Sequence, residues 1–204
     1  MVRLRLVLRG VSPLIVRTIE VPAAAKLAVL SEAMLILFGW SGEHLHEFTI
    51  RAVGYSTDWA VDADDSRKVT LDSLALRPGE RFCWAYDFFA GWVVDVRVEA
   101  VTADIGSRIS CLSGRRAGPP EWCGGHSGFR AWENAHSLSE FLECLLQVHD
   151  HVDERGDPVD PFDLLHRLEA VTNWMLRERF DKADLNGRLP TLEVPSCVSS
   201  SKSG

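Results

Sequence analysis

The sequence predicts an α+β fold: a mixed sheet, one N-terminal helix lying across it in a β-grasp-like order, and two C-terminal helices. Three observations carry this prediction. Residues 2–8 alternate strictly, with apolar Val2, Leu4, Leu6 and Leu8 on one side and Arg3 and Arg5 on the other, the period-two signature of a half-buried strand. Leu27, Leu30, Met34 and Phe38 recur at helical spacing and define one buried face. Leu138, Phe141, Leu142, Leu145 and Leu146 form a second apolar stripe behind Ser137 and Glu140, which together make a capping box.

The elements follow in order. Gly10 and Ser12-Pro13 break the first strand, and Leu14–Val21 reads as a second, β-branched strand paired with it in a hairpin. Pro22 suits a helix first turn, so the helix is drawn from Pro22 to Phe38 and ended by Gly39. From His44 to Gly54 the pattern returns to period two, with His44, His46, Phe48, Ile50 and Ala52 in one parity. Ser56–Lys68 is polar and reads as a loop and a site of mobility. Phe82–Asp87 and Trp92–Val101 read as strands. Residues 106–130 are rich in glycine and carry Pro119-Pro120, so no long regular element is expected there. Gly156-Asp157-Pro158 reads as a turn. Asp160 caps a last helix opened by Pro161 and running to about Phe180. Residues 1–190 read as one domain and 191–204 as a disordered, serine-rich tail.

Of 204 residues, 46% are hydrophobic and 25% charged, ordinary for a globular chain with a sizeable core. A net charge of −7 gives no support to nucleic-acid binding driven by overall charge. A local basic patch stays open, and the short groups at Arg3, Arg5, Arg9 and at Arg115, Arg116 are its nearest candidates. The apolar run Met34–Phe38 is far too short for a bilayer span, so no membrane association is expected. The start alternates basic and apolar residues, unlike an export signal. With five irregularly spaced cysteines, this points to a thiol-reduced, cytoplasmic setting.

Two clusters have metal-ligand chemistry. On a strand, His44 and His46 project from one face and suit a transition metal. They serve equally well as strand-capping, loop-bonding histidines. Cys123 and His126, flanked by glycines and with Cys111 as a third donor, suit zinc. They read equally as part of a rigid, thiol-lined loop. No cofactor is expected, with zinc the one candidate. A Cys123 nucleophile with His44 or His126 as base would need a lowered thiol pKa. Trp40, Trp84, Trp92, Trp122 and Trp132 are a high aromatic load. Core packing accounts for most of it, and Trp122 and Trp132 are expected as exposed anchors for a partner.

Four segments recur together in one family. They are Pro13–Pro22 with Arg17; Phe38-Gly39-Trp40 followed by His44-Leu45-His46-Glu47-Phe48; Tyr86-Asp87-Phe88 with Trp92; and Cys111–Ala117 running into Pro119-Pro120-Glu121 and Cys123-Gly124-Gly125. In this order, over roughly residues 1–190, they resemble the plasmid pRiA4b ORF-3-like family, known also as transposon passenger (TnpR-type) proteins. The resemblance implies an MM3350-like fold and no established activity. The chain departs from the family pattern at Phe89, where glycine is usual, at Ala90 (aspartate), at Val94 (histidine) and at Gly118 (cysteine). Any reaction or metal served by that aspartate and histidine is lost or altered here.

Arg17 shares parity with Ile15, Ile19 and Val21. Buried there, its guanidinium needs an anionic partner, and Asp87 and Glu121 are the family-pattern carboxylates available. A structural ion pair is the first expectation and an anion-binding arginine in a pocket the second. The expected binding face comprises Arg17, Trp40, His44, His46, Tyr86, Asp87, Trp92, Glu121 and Trp122. Its partner would be a protein or small molecule of unknown identity. The expected function is a non-enzymatic binding or accessory protein associated with plasmid or mobile-element DNA. The alternative is a metal-dependent hydrolase or related enzyme using His44, His46, Cys111 and Cys123.

Overall fold

The alternating segment at the N-terminus forms β1 (Val2–Leu8), whose apolar side is buried throughout. The structure is a computed structural model describing residues 1–103, 106–150 and 160–190. β1 pairs antiparallel with β2 (Val16–Val21), as the short connection predicts. β2 buries Arg17, Ile19 and Val21 on its inner side.

Helix α1 (Leu27–Phe38) begins five residues later than the sequence suggests. Residues 22–25 make a turn, with Ala25 N donating to Pro22 O at 2.9 Å. Lys26 is extended and bridges to Thr70, which holds the chain out of the helix until Leu27. The far end is as expected: Gly39 takes φ 76° and its N–H closes on the carbonyls of Leu35 and Ile36, the left-handed C-cap that suits glycine.

The His44–Gly54 alternation divides into two strands, β3 (His46–Ile50) and β4 (Val53–Ser56). Arg51 and Ala52, at φ 51° and 65°, turn the chain back on itself, and two successive left-handed residues make a tight hairpin turn. The polar segment that follows contains a two-residue strand, β5 (Asp64–Asp65), parallel to β4. β6 (Arg81–Tyr86) and β7 (Trp92–Val101) come close to their predicted limits.

The glycine-rich stretch is more regular than its composition predicts. Ser110–Arg115 forms β8 by pairing with the free edge of β2. A 3-10 turn over Glu121–Cys123 leads into helix α2 (Gly125–Ala135). Gly124 and Gly125, at φ 78° and 80°, redirect the chain into that helix. The sheet order is β5-β4-β3-β6-β7-β1-β2-β8, mixed through the β4–β5 pair. α1 covers its inner face: Leu27, Leu30, Met34, Leu37 and Phe38 share one core with Leu4, Leu6, Ile19, Trp84, Val94 and Val96. Each such large side chain contributes roughly 2–3 kcal/mol on burial.

α3 (Leu138–Asp150) starts after Ser137, whose Oγ accepts from Glu140 N at 3.2 Å, the Ser137 half of the expected box. α4 (Pro161–Leu176) is capped by Asp160, as predicted, but stops four residues before Phe180. An unpredicted α5 (Lys182–Arg188), capped by the Asp181 side chain, follows. Ala117 N bonds to Arg177 O, and buried Arg116 binds Glu133 of α2 and Glu178 just past α4, tying α2 and the end of α4 to the chain that leaves β8. The expected turn at 156–158 and the tail at 191–204 lie outside the described residues. No described helix is long and apolar enough to cross a membrane.

Candidate functional site

Strand parity carries Arg17 inward, and the side chain is 1% exposed. Its expected carboxylate partner is not there. Nε donates to Leu37 O at 3.1 Å, and Nη1 to Val16 O at 2.8 Å and Arg115 O at 2.9 Å. Three of the five guanidinium donors are thus satisfied by neutral carbonyls. Nη2 has no hydrogen-bond partner among the described residues. The guanidinium carbon lies 5.6 Å from the Phe38 ring and 4.9 Å from that of Phe180. Burial lowers its pKa to about 10.

Arg17 lines a cavity of about 480 Å³, together with Phe38, Pro119, Trp122, Asn173 and Phe180 among others. Trp132 also lines it, and its buried Nε1 has no hydrogen-bond partner among the described residues. Trp122 is 57% exposed, whereas Trp132 sits on the inner side of α2 and is buried, against the expectation that both are surface anchors. The cavity's other charges are engaged: Arg179 with Asp181, Arg188 with Asp184, and Arg177 with Glu133, Glu178 and the Trp174 ring.

Glu121 and Asp87 are both committed elsewhere, which is why neither reaches Arg17. Glu121 accepts from Ser41 N at 2.7 Å, from Ser41 Oγ at 3.0 Å and from the Tyr86 hydroxyl. Asp87, at φ 48°, accepts from Phe89 N and Ala90 N and so closes its own turn. His44 Nε2 lies 3.7 Å from Glu121 and 3.9 Å from Asp87, with the ring edge-on to Tyr86. Burial, then the Glu121 bond, raises the Tyr86 pKa. Trp40 stacks on Tyr86 and Phe38 at 5.1 and 5.2 Å, packs on Trp92 at 5.4 Å, and donates to Pro119 O. These contacts lock the Pro119–Glu121 segment onto the end of α1.

The metal-type residues do not converge. His46 Nε2 meets Thr57 Oγ1 at 3.1 Å, and burial lowers its pKa, which favours the neutral ring. Its partner in the predicted pair, His44, precedes the strand and turns to Glu121 instead. Cys111 is buried in β8, where its backbone is clamped by Asn186. Cys123 lies in the 3-10 turn, and His126 packs against Gly10. Among the described residues no group of three or more His, Cys, Asp or Glu side chains could hold a metal ion. Burial pushes the Cys123 thiol up to about 12 and raises that of Cys111. A thiol so shifted stays protonated at neutral pH, the opposite of an activated nucleophile.

The departures from the expected pattern are structurally distinct. Val94 is completely buried on the inner side of β7 and Phe89 fully exposed. The Ala90 carbonyl lies where a Gly125 side chain would begin, 2.0 Å from an ideal Cβ. A Cβ on Gly118 would fall 1.8 Å from Phe38 O, so a cysteine there requires a shifted backbone.

The family of the plasmid pRiA4b ORF-3-like protein matches residues 1–159. The chain belongs to this family. The uncharacterized protein y4hQ of Sinorhizobium fredii (strain NBRC 101917 / NGR234) is 32% identical over 149 residues, which are 71% of this chain and 72% of y4hQ. The crystal structure of MM3350, a protein of unknown function from Methanosarcina mazei Go1, is similar with a TM-score of 0.58 and 25% identity. It covers 79% of this chain and 96% of its own. The pRiA4b ORF-3-like match supplies Arg17, Trp40, Tyr86 and Glu121. Asn173, Arg177 and Phe180, which also line the cavity, lie beyond it.

Proposed function

We propose that this protein is a non-enzymatic binding module that holds a small organic anion over Arg17. One observation carries the reading: the Arg17 side chain, 1% exposed and without a carboxylate or an Nη2 hydrogen-bond partner among the described residues, lines a cavity of about 480 Å³. Buried charges are ordinarily paired, and cavities of ~300–1,000 Å³ suit small ligands. Phe38, Phe180 and Trp122 provide apolar walls for the body of such a ligand. The raised thiol pKa values weigh against the Cys–His chemistry considered from sequence, and nothing specific favours the hydrolase reading. An accessory role beside plasmid or mobile-element DNA, a single domain over residues 1–190 and a cytoplasmic location belong to the same reading. The first is supported by the family's description, the second by Trp174, Phe180, Leu185 and Leu189 joining the common core, and the third by the free Cys83, Cys111, Cys123 and Cys144.

The test is calorimetric titration with phenyl phosphate, citrate and inorganic phosphate, backed by Trp122 and Trp132 fluorescence. Saturable binding of at least one, lost in Arg17→Met, is expected. If none of the three binds, or Arg17→Met binds as tightly as the parent, the reading fails.

A further inference from the structure

We propose that the open face of the sheet binds the phosphate backbone of a nucleic-acid duplex through Arg5, Arg97 and Arg81. The site lies on the side of the sheet opposite Arg17 and does not rest on the cavity reading. Arg5 of β1 stands directly opposite Arg97 of β7, and Arg97 directly opposite Arg81 of β6. These three strands are adjacent in the sheet. At a strand spacing of ~4.8 Å, the arginines form a row about 10 Å long.

All three side chains are exposed, and none makes an ion pair or hydrogen bond among the described residues. Two other arginines of this face are neutralised in place: Arg3 pairs with Glu20, and Arg9 with Asp95. Glu99, also outward on β7, forms no ion pair with the row among the described residues. Like charges directly opposite one another destabilise a strand pair, and here the repulsion occurs twice in succession. The row borders a shallow depression of about 330 Å³ that also includes Val7 and Asp95. An external polyanion supplies the charge the fold withholds.

The surroundings choose among polyanions. β6, β7 and β1 are all interior strands, so no free edge is available to dock an extended acidic peptide by backbone pairing. The outward neighbours of the row include Val7, Thr18, Cys83, Ala85 and Val93, and no aromatic platform is present for unstacked bases. A duplex keeps its bases stacked and presents phosphates on a stiff frame, which a flat arginine row meets without ordering a flexible chain. Phosphate contacts alone carry no sequence information. The net charge of −7 makes the attraction local and strongly salt-sensitive.

The experiment is fluorescence anisotropy of a labelled random-sequence DNA duplex titrated with the full chain over a salt series. Binding at low salt is expected, with log K falling against log salt at a slope near −2.7 for three phosphates at ~0.9 each. Arg97→Gln should weaken binding and reduce the slope by ~0.9, with a melting temperature equal to or above that of the parent. Arg17→Met should bind the duplex as the parent does, which separates this site from the cavity. The proposal is overturned by absence of duplex binding at low salt, or by an Arg97→Gln variant that folds and binds unchanged. Equal affinity for a single-stranded oligonucleotide or for polyglutamate overturns the duplex assignment.

Discussion

Neutralising Arg17 should expose how much of the cavity's affinity is electrostatic. Burial brings the guanidinium from its ordinary 12.5 to about 10, and at ~1.36 kcal/mol per tenfold change, holding the charge inside costs roughly 3 kcal/mol. An anion that meets Nη2 recovers at most that amount, so it should bind up to roughly 100-fold more tightly than a neutral isostere. At a concentration 100 times its dissociation constant such a ligand stabilises the fold by ~2.7 kcal/mol, about 5–10 °C in melting temperature for a chain of this size. The assay is thermal unfolding of the parent and Arg17→Met with phenyl phosphate and with its neutral analogue benzyl alcohol. The anion-specific shift should appear in the parent and vanish in the variant. It should persist while the guanidinium is protonated and fade as pH rises through about 10. A variant that folds and keeps the full shift would refute the role assigned to Arg17.

Glu121→Gln, which weakens the acceptor shared by Ser41 and Tyr86, should cost about 1–3 kcal/mol by urea unfolding. Cys123→Ser should cost less than ~1 kcal/mol, and the reverse ranking would mean that the segment is held by its thiol. The Tyr86 pKa is raised by burial and by Glu121. Its contribution is therefore complete below the unfolded value near ~10 and is lost as pH rises through the folded one. The parent should lose stability on the alkaline side more steeply than Tyr86→Phe, and parallel curves in urea titrations would contradict this. Gly118→Ala must move the Phe38 carbonyl and should destabilise by about 1–3 kcal/mol. Gly187→Ala, with open space inside α5, should stabilise by up to ~1 kcal/mol; equal melting temperatures for the two would show that the close approach at Gly118 is relaxed at no cost.

Local rules were legible where a single element decides the outcome. The limits of β1 and β7, the Gly39 cap, the Ser137 hydroxyl cap and the Asp160 cap depend on a few neighbouring residues, and they stand as predicted. Elements that exist only by pairing were not legible. β8 forms because β2 offers a free edge, and a glycine-rich segment gives no hint of that. The start of α1 moved because Lys26 pairs with Thr70, far along the chain. The continuous alternation of His44–Ala52 concealed a reversal at Arg51 and Ala52, residue types without the usual turn signature.

The site divides in the same way. Sequence parity by itself determined that Arg17 points into the core and that Arg3 and Arg5 point out of it, because side-chain direction along a strand has a fixed period. Motif order by itself brought Trp40, Tyr86, Asp87 and Glu121 into one family pattern. Only the tertiary structure decided who meets whom. Glu121 was free to pair with Arg17 on paper, but Ser41 and Tyr86 reach it first, and backbone carbonyls take Arg17. The charge left over at Arg17, the cavity beside it and the cross-strand row of Arg5, Arg97 and Arg81 all depend on registers between segments distant in sequence. Such registers are set by the packing of whole faces against one another, and no local pattern records them.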